Sequence, residues 1–335
     1  MHPKSRRLSL SVLMAVAALV CVWFVTPTAL TAGQKAEARE RGRFRVDLYS
    51  GFSFLNPSDL NLFVDYDRSV QEFSYDAYFD YLRNNNMIRS WNKNAEGERK
   101  KIRFALPFGI RIRYSVLDFL AVSVGFQYFR RGPSESLNFG YTRNETSSEQ
   151  YLESLDIMPY RLEVKAYCPI VGIHFFKRFG SVFTVEAFAA GGPLFAECSY
   201  ESHWHYTWTI QGQGYAWETY KSEGLLQEDG SGTGLSLEVG GRFSIPVHRR
   251  LDVFIECGYA YQAIKSLSGS GRETQGEKTE TWDGKWGIKS ETMTTPWGAR
   301  DLLFPTNYRT DGTGVGDFRL NLSGFRIRIG VSWGF

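Results

Sequence analysis

The last eleven residues, FRIRIGVSWGF (325–335), decide the fold. Phe325, Ile327, Ile329, Val331, Trp333 and Phe335 alternate with Arg326, Arg328, Gly330, Ser332 and Gly334. A period of two is the side-chain period of a β-strand, whose successive Cβ atoms point to opposite faces. One face is wholly apolar and ends on two aromatics, while the other carries two guanidiniums. Such a strand separates an apolar medium from a polar one.

The same alternation recurs upstream and predicts seven further strands. Phe44, Val46, Leu48, Ser50 and Phe52 open the series, followed by Phe104–Tyr114 and Leu120–Tyr128. A fourth run sets Leu162, Val164 and Ala166 against Arg161, Glu163 and Lys165, and its phase is expected to slip at a bulge around Cys168-Pro169. Phe183–Ala189, Leu235–Ile245 and Leu251–Tyr261 complete the set. Strands two and three, four and five, and six and seven are joined by Ser115–Asp118, Lys177–Ser181 and His248–Arg250, whereas the other connections are long and polar. Short turns at one end and long loops at the other are the pattern of a transmembrane β-barrel. A soluble sandwich has no reason to place every long loop at one end. The expectation is therefore all-β: an eight-stranded antiparallel up-and-down transmembrane barrel, with both termini in the periplasm. A strand pair hidden in the last loop, around Lys285–Thr294, would make ten.

In an eight-stranded barrel the interior is narrow and filled by side chains. The polar faces would turn Arg43, Arg45, Arg111, Arg113, Arg161, Lys165, Arg242, Arg326 and Arg328 inward, with Asp47, Glu163, Glu186, Glu238, Asp252 and Glu256. These charges must pair, since an unpaired buried charge is costly. The inward glycines Gly51, Gly109, Gly125, Gly240, Gly258, Gly330 and Gly334 leave open that water enters and the lumen conducts.

Residues 1–32 read as a signal peptide: Lys4, Arg6 and Arg7, then the apolar stretch Leu8–Val25, with cleavage placed after Ala32. Residues 33–42 would be a short periplasmic segment and 43–335 the barrel. The three basic residues of the signal equal the whole excess of 39 Lys and Arg over 36 Asp and Glu. The remainder is neutral, which argues against nucleic-acid binding. Aromatic residues make up 16% of the chain, too many for a disordered one. Cys168, Cys198 and Cys257 form no disulfide framework, although one pairing stays open, and without a C-x-x-C motif structural zinc is not expected.

The C-terminal run Ile327, Ile329, Val331, Trp333 and Phe335 resembles the terminal assembly signal of Gram-negative outer-membrane barrels. The whole segment after residue 32 is similar to the small OmpA/OmpX/OmpW-like members, in architecture. That resemblance implies an outer-membrane location, assembly by the barrel-assembly machinery, a monomer, and outer-membrane lipids and lipopolysaccharide as surroundings. It implies no cofactor, and fold alone does not assign a function.

Within the loops, Ser69-Val-Gln-Glu72 fits a capping box, and Val70, Phe73, Ala77 and Tyr81 repeat at helical spacing, predicting a short helix. Glu201, His203 and His205 share one face of an extended run, as in an H-x-H metal site. No third histidine lies near and Trp204 and Tyr206 stand opposite, so an aromatic hairpin above the membrane is the better reading and no metal is assigned. Asp311–Asp317 has the look of a calcium turn without the repeat such turns need. Asn144-Glu-Thr146 matches a glycosylation sequon by chance. Serines and acids surround the histidines, as they do throughout such loops, but no His-x-Ser pair like that of the lipid A deacylases occurs, and a protease of the omptin kind would need ten strands and paired acids with a His. The expectation is a non-enzymatic barrel with a structural or surface-interaction role, in adhesion or envelope integrity, acting through its loops. A small porin-like or hydrophobic-compound channel is the alternative, and a lipid A-modifying enzyme a minor one.

Overall fold

The computed structural model describes residues 43–62 except 56 and 58, then 84, 92–96, 102–131, 138–142, 150–157, 161–211, 218–295, 298–307 and 316–335. The signal peptide, the segment 33–42, the loop helix at 69–81 and the sequon lie outside them, as does most of the Asp311–Asp317 turn. In chain order the strands are β1 Phe44–Phe54, β2 Asn92–Glu96, β3 Phe104–Leu117, β4 Leu120–Arg131, β5 Asn138–Thr142, β6 Gln150–Ile157, β7 Arg161–Phe179 and β8 Phe183–Gln211. They continue with β9 Glu218–His248, β10 Leu251–Ile264, β11 Ser268–Gln275, β12 Lys278–Thr295, β13 Gly298–Asn307, β14 Gly316–Asp317, β15 Leu320–Asn321 and β16 Gly324–Gly334. Among the described residues no helix is long and apolar enough to cross a membrane.

Eight strands close a ring, β1-β3-β4-β7-β8-β9-β10-β16, in which every pairing is antiparallel. The terminal strand β16 pairs with β1 (Arg45 opposite Gly334) and with β10 (Leu251 opposite Trp333), so it locks the two ends of the sheet together. The three tight turns, β3–β4, β7–β8 and β9–β10, lie at one end. Phe335 is at the same end, where its N–H donates to the carbonyl of Phe44. The β7–β8 turn places Gly180 at φ 59°, a conformation that glycine adopts at no steric cost.

The outer wall is apolar all round. Leu48, Phe52, Phe108, Ile110, Val124, Phe126, Val171, Ile173, Leu237, Ile255, Ile329 and Val331 are all exposed, Val171 and Ile329 by more than 60%. A continuous exposed apolar belt of this extent has no place in water and marks the surface that lipid covers. The belt ends in a cross-strand row of rings, Tyr128 opposite Tyr167 opposite Phe195, and the next outward row is ionic, Arg130 opposite Lys165 opposite Glu197.

Beyond that row the sheet carries on. β8 is 29 residues long and β9 is 31, about three times what a tilted membrane crossing needs. Above the belt they pair along their outer lengths with β6 and β11, and β5, β2, β12 and β13 widen the sheet. The expected strand around Lys285–Thr294 is therefore real, as part of β12, but it pairs with β11 and β13 outside the ring. The barrel count stays at eight.

Two expectations about β7 fail. No bulge occurs at Pro169: the register against β4 is constant from Leu120 opposite Phe175 to Arg131 opposite Val164. Even-numbered residues therefore face inward along the whole strand, and Leu162, Val164, Ala166, Cys168 and Ile170 are buried in the lumen. Arg161, Glu163 and Lys165 are on the outer wall, not in the lumen network. There Glu163 accepts from Arg130 at 2.6 Å, with Lys165 at 3.5 Å and Arg161 at 3.9 Å. The alternation at the start of the run is real, but its apolar face packs the barrel's own core instead of meeting lipid. Arg43, also expected inside, precedes β1 and is exposed.

Candidate functional site

The lumen is built in two storeys. The lower one, nearer the tight turns, holds six arginines and five carboxylates, all nearly buried. Asp47 on β1 is the hub. It forms an ion pair with Arg113, whose Nη2 donates to it at 3.2 Å, and accepts from Arg242 Nη1 at 2.6 Å. Arg113 also reaches Glu186 at 2.7 Å. Glu256 on β10 accepts from Arg111 at 2.9 Å and forms ion pairs with Arg328 at 3.0 Å and Arg242 at 3.6 Å. Glu238 takes Arg328 and, at 3.3 Å, Arg326. Arg45 pairs with Asp252 at the mouth. Each of these residues is placed by strand parity. Arg242–Glu256, Glu256–Arg328 and Asp47–Arg113 join strands paired side by side, while Arg113–Glu186, Arg111–Glu256, Arg242–Asp47, Arg45–Asp252 and the two pairs of Glu238 reach between strands that are not paired, so the network cross-braces the ring. Six of the nine basic and five of the six acidic residues expected in the lumen are there, and every guanidinium finds a carboxylate.

Aromatic rings fill the space that the inward glycines open. A Cβ on Gly109 would stand 2.1 Å from the Tyr49 ring, one on Gly330 2.5 Å from Phe254, and one on Gly240 2.8 Å from Phe188. Tyr49 is directly opposite both Gly109 and Gly330 in register. The guanidiniums in turn lie against these rings: Arg242 is 3.5 Å from the Phe254 centroid, Arg328 4.8 Å and Arg111 5.2 Å from that of Tyr49. Cation–π attraction is strongest where water is excluded. At these three positions rings take up the space that the glycines open, which weighs against the alternative that the glycines leave a wet path there. Gln127, Gln262 and Ser53 complete the shell of Arg326. The charge pattern of the sequence does not single out Gln262 or the three rings, although extending the alternation of β10 past Tyr261 finds the glutamine.

The upper storey is apolar. Leu162, Val164, Ala166, Cys168 and Ile170 of β7 and Leu194, Ala196, Cys198 and Tyr200 of β8 meet Phe129, Ile264, Leu267, Leu320 and Leu322 in one buried cluster. Trp286 and Phe318 close it edge to face, with centroids 5.3 Å apart. The chain leaving β1 folds over the same core. Leu60 is fully buried, Asn61 exchanges two hydrogen bonds with the backbone of Ile102, and Asp59 accepts from the backbone N–H of Arg319 at 2.8 Å. Among the described residues the three cysteines are free: Cys168 and Cys198 are buried in this core and Cys257 is exposed on the outer wall.

Ser123, His174 and Glu186 stand in line, with Ser123 Oγ 2.8 Å from His174 Nε2 and His174 Nδ1 2.7 Å from Glu186 Oε1. The order is that of a hydrolase relay. All three are buried, however, and Glu186 is held by Arg113. The cavity at the adjoining mouth, lined by Arg45, Arg113, Thr184, Glu186 and Asp252, has about 20 Å³, the room of a single water. This trio braces β4, β7 and β8, and neither Ser123 nor His174 lines that cavity.

On the outer sheet, Glu201 accepts from His203 Nε2 at 2.7 Å. That bond, ahead of the contact with Gln227, holds the Glu201 carboxyl below its usual range. Among the described residues no cluster of three potential metal ligands occurs.

No family model matches the sequence, and no curated protein matches it. Solved structures do align. Ail, the attachment invasion locus protein of Yersinia pestis, matches over 87% of this chain and 98% of its own, with 11% identity and a TM-score of 0.31. A major outer membrane protein from Thermus thermophilus covers the same shares at 9% identity and a TM-score of 0.32. LpxR from Salmonella typhimurium covers 87% and 100% at 7% identity and a TM-score of 0.22. What the chain shares with small outer-membrane β-barrel proteins is architecture.

Proposed function

We propose that this chain is an integral outer-membrane barrel whose lumen is a structural plug and whose work is done by the sheet that rises above the membrane. Its role is structural or one of surface interaction, in adhesion or envelope integrity, with lipid and lipopolysaccharide around the wall. The observation that carries this reading is the filling of the lumen. A charge network braced by rings occupies the lower storey and a buried apolar core occupies the upper one. An ion entering from the tight-turn end would have to break buried ion pairs and then cross an apolar layer, where charge is strongly disfavoured.

The test is conductance of the purified chain in a planar bilayer. The expected result is a folded, heat-modifiable barrel that is electrically silent. Steady openings whose size scales with salt would overturn the plug and install the channel in its place.

A further inference from the structure

The tight-turn end of the barrel carries a charge imbalance that the lumen does not use. Lys177 leads into the β7–β8 turn, and His248 ends β9 ahead of Arg249 and Arg250 in the β9–β10 turn. These two turns are neighbours, because β8 pairs with β9. Arg43, at the entrance to β1, is near them in the ring: β1 pairs with β16, which pairs with β10. His248, Arg249, Arg250 and Arg43 are exposed and Lys177 is half-buried. The one exposed acidic side chain described at this end is Asp118, in the β3–β4 turn. The opposite end mixes both signs, with Lys265, Arg272 and Lys278 beside Glu273, Glu277 and Glu280.

The same turns are apolar where they meet the belt. Val116, Leu117 and Phe119, then Phe179 and Val182, then Val247 are all exposed, and Phe335 closes the circle. Lys177 Nζ lies 5.4 Å from the centroid of the Phe179 ring, so its ammonium stands beside apolar surface at the rim. A rim of this make-up, apolar toward the wall and cationic at its edge, is continuous with the lipid-covered surface. It sits where headgroups begin.

We propose that the rim binds the headgroups of anionic phospholipids in the leaflet bordering the tight turns. It thereby fixes the depth of the barrel and selects its surrounding lipid. The inference rests on the membrane-spanning reading of the wall. The ligand chemistry is a phosphodiester held in a bilayer, recognised by clustered guanidiniums and an ammonium at a fixed height.

The experiment reconstitutes the full chain, purified from membranes, into vesicles of phosphatidylcholine alone or with a minority of phosphatidylglycerol. Its unfolding midpoint is read from heat-dependent gel mobility. Phosphatidylglycerol is expected to raise the midpoint by about 5 °C. The rise should vanish in the variant Lys177→Gln/Arg249→Gln/Arg250→Gln and in about 0.5 M salt, where screening is short-ranged. It should persist in Lys265→Gln/Arg272→Gln/Lys278→Gln, which removes the same charge from the other end. Equal midpoints for the rim variant and the wild type in pure phosphatidylcholine would show that the variant folds. No rise in the wild type, or an equal rise in both variants, would overturn the proposal. So would a rise reproduced in phosphatidylcholine by millimolar inorganic phosphate, which would make the rim a site for free anions. A chain with no heat-modifiable fold in either vesicle would overturn the membrane-spanning reading, and the rim with it.

Discussion

At the scale of single residues, the lumen shows how parity and pairing share the work. Parity puts Arg326 and Arg328 on the inner face of β16, where the protein can accept them only if carboxylates on other strands meet them. Glu238 on β9 meets both. Among the described residues, it is the ion-pair partner of Arg326. Glu238→Gln would leave that guanidinium buried with neutral partners only, and the barrel should lose about 3–5 kcal/mol, the range seen when one member of a buried pair is removed. Denaturant titration of the folded chain in vesicles reads this directly. Adding Arg326→Met to that variant should recover part of the loss, because a buried charge without a counter-charge costs more than no charge at all. A double variant that loses as much as the two single changes together would show that the pair is not coupled.

At the scale of elements, β7 is where sequence and structure part. Its upper half reads as an amphipathic strand like the others, and the natural assumption places its apolar face against lipid. In fact Leu162, Val164 and Ala166 look into the barrel and Arg161, Glu163 and Lys165 look out. Here β7 has climbed past the belt, so outside is water and inside is a core, and the two media have exchanged places. Two outcomes follow. Val164→Asp would bury an unpaired charge in the apolar storey and should cost about 3 kcal/mol or more. Lys165→Gln should stay within about 0.5 kcal/mol, as exposed substitutions do. The same denaturant titration separates them, and the opposite ranking would restore the bulge at Pro169. Parity was legible wherever a strand kept one phase, which is why the ring of eight, the inner face of β3, β9, β10 and β16, and most of the charge network were readable in the sequence. The medium on each side was not legible, because alternation states that two faces differ and not which of them is wet. Pairing was equally hidden. Ser123, His174 and Glu186 are on three strands, and their meeting depends on the stagger of the ring.

At the scale of the whole molecule, the features divide by end. The tight turns, Phe335, the basic rim and the charged storey are at one end; the apolar storey and the broad outer sheet are at the other. A barrel inserted with its tight turns toward the periplasm exposes that sheet to the medium, which the surface-interaction reading requires. Single cysteines test this in intact cells, because a membrane-impermeant maleimide reaches only the outer face. The resident thiols contribute little background, with Cys168 and Cys198 buried and Cys257 on the outer wall that lipid covers. Glu277→Cys, in the exposed turn between β11 and β12, should label at once. Val116→Cys and Arg249→Cys, in the tight turns, should label only after the outer membrane is permeabilised. If the pattern were reversed, the outer sheet would face the periplasm and the basic rim would border the outer leaflet, whose anionic groups it would then meet instead. The rim's preference for anionic headgroups would survive that result, whereas a role at the cell surface would not.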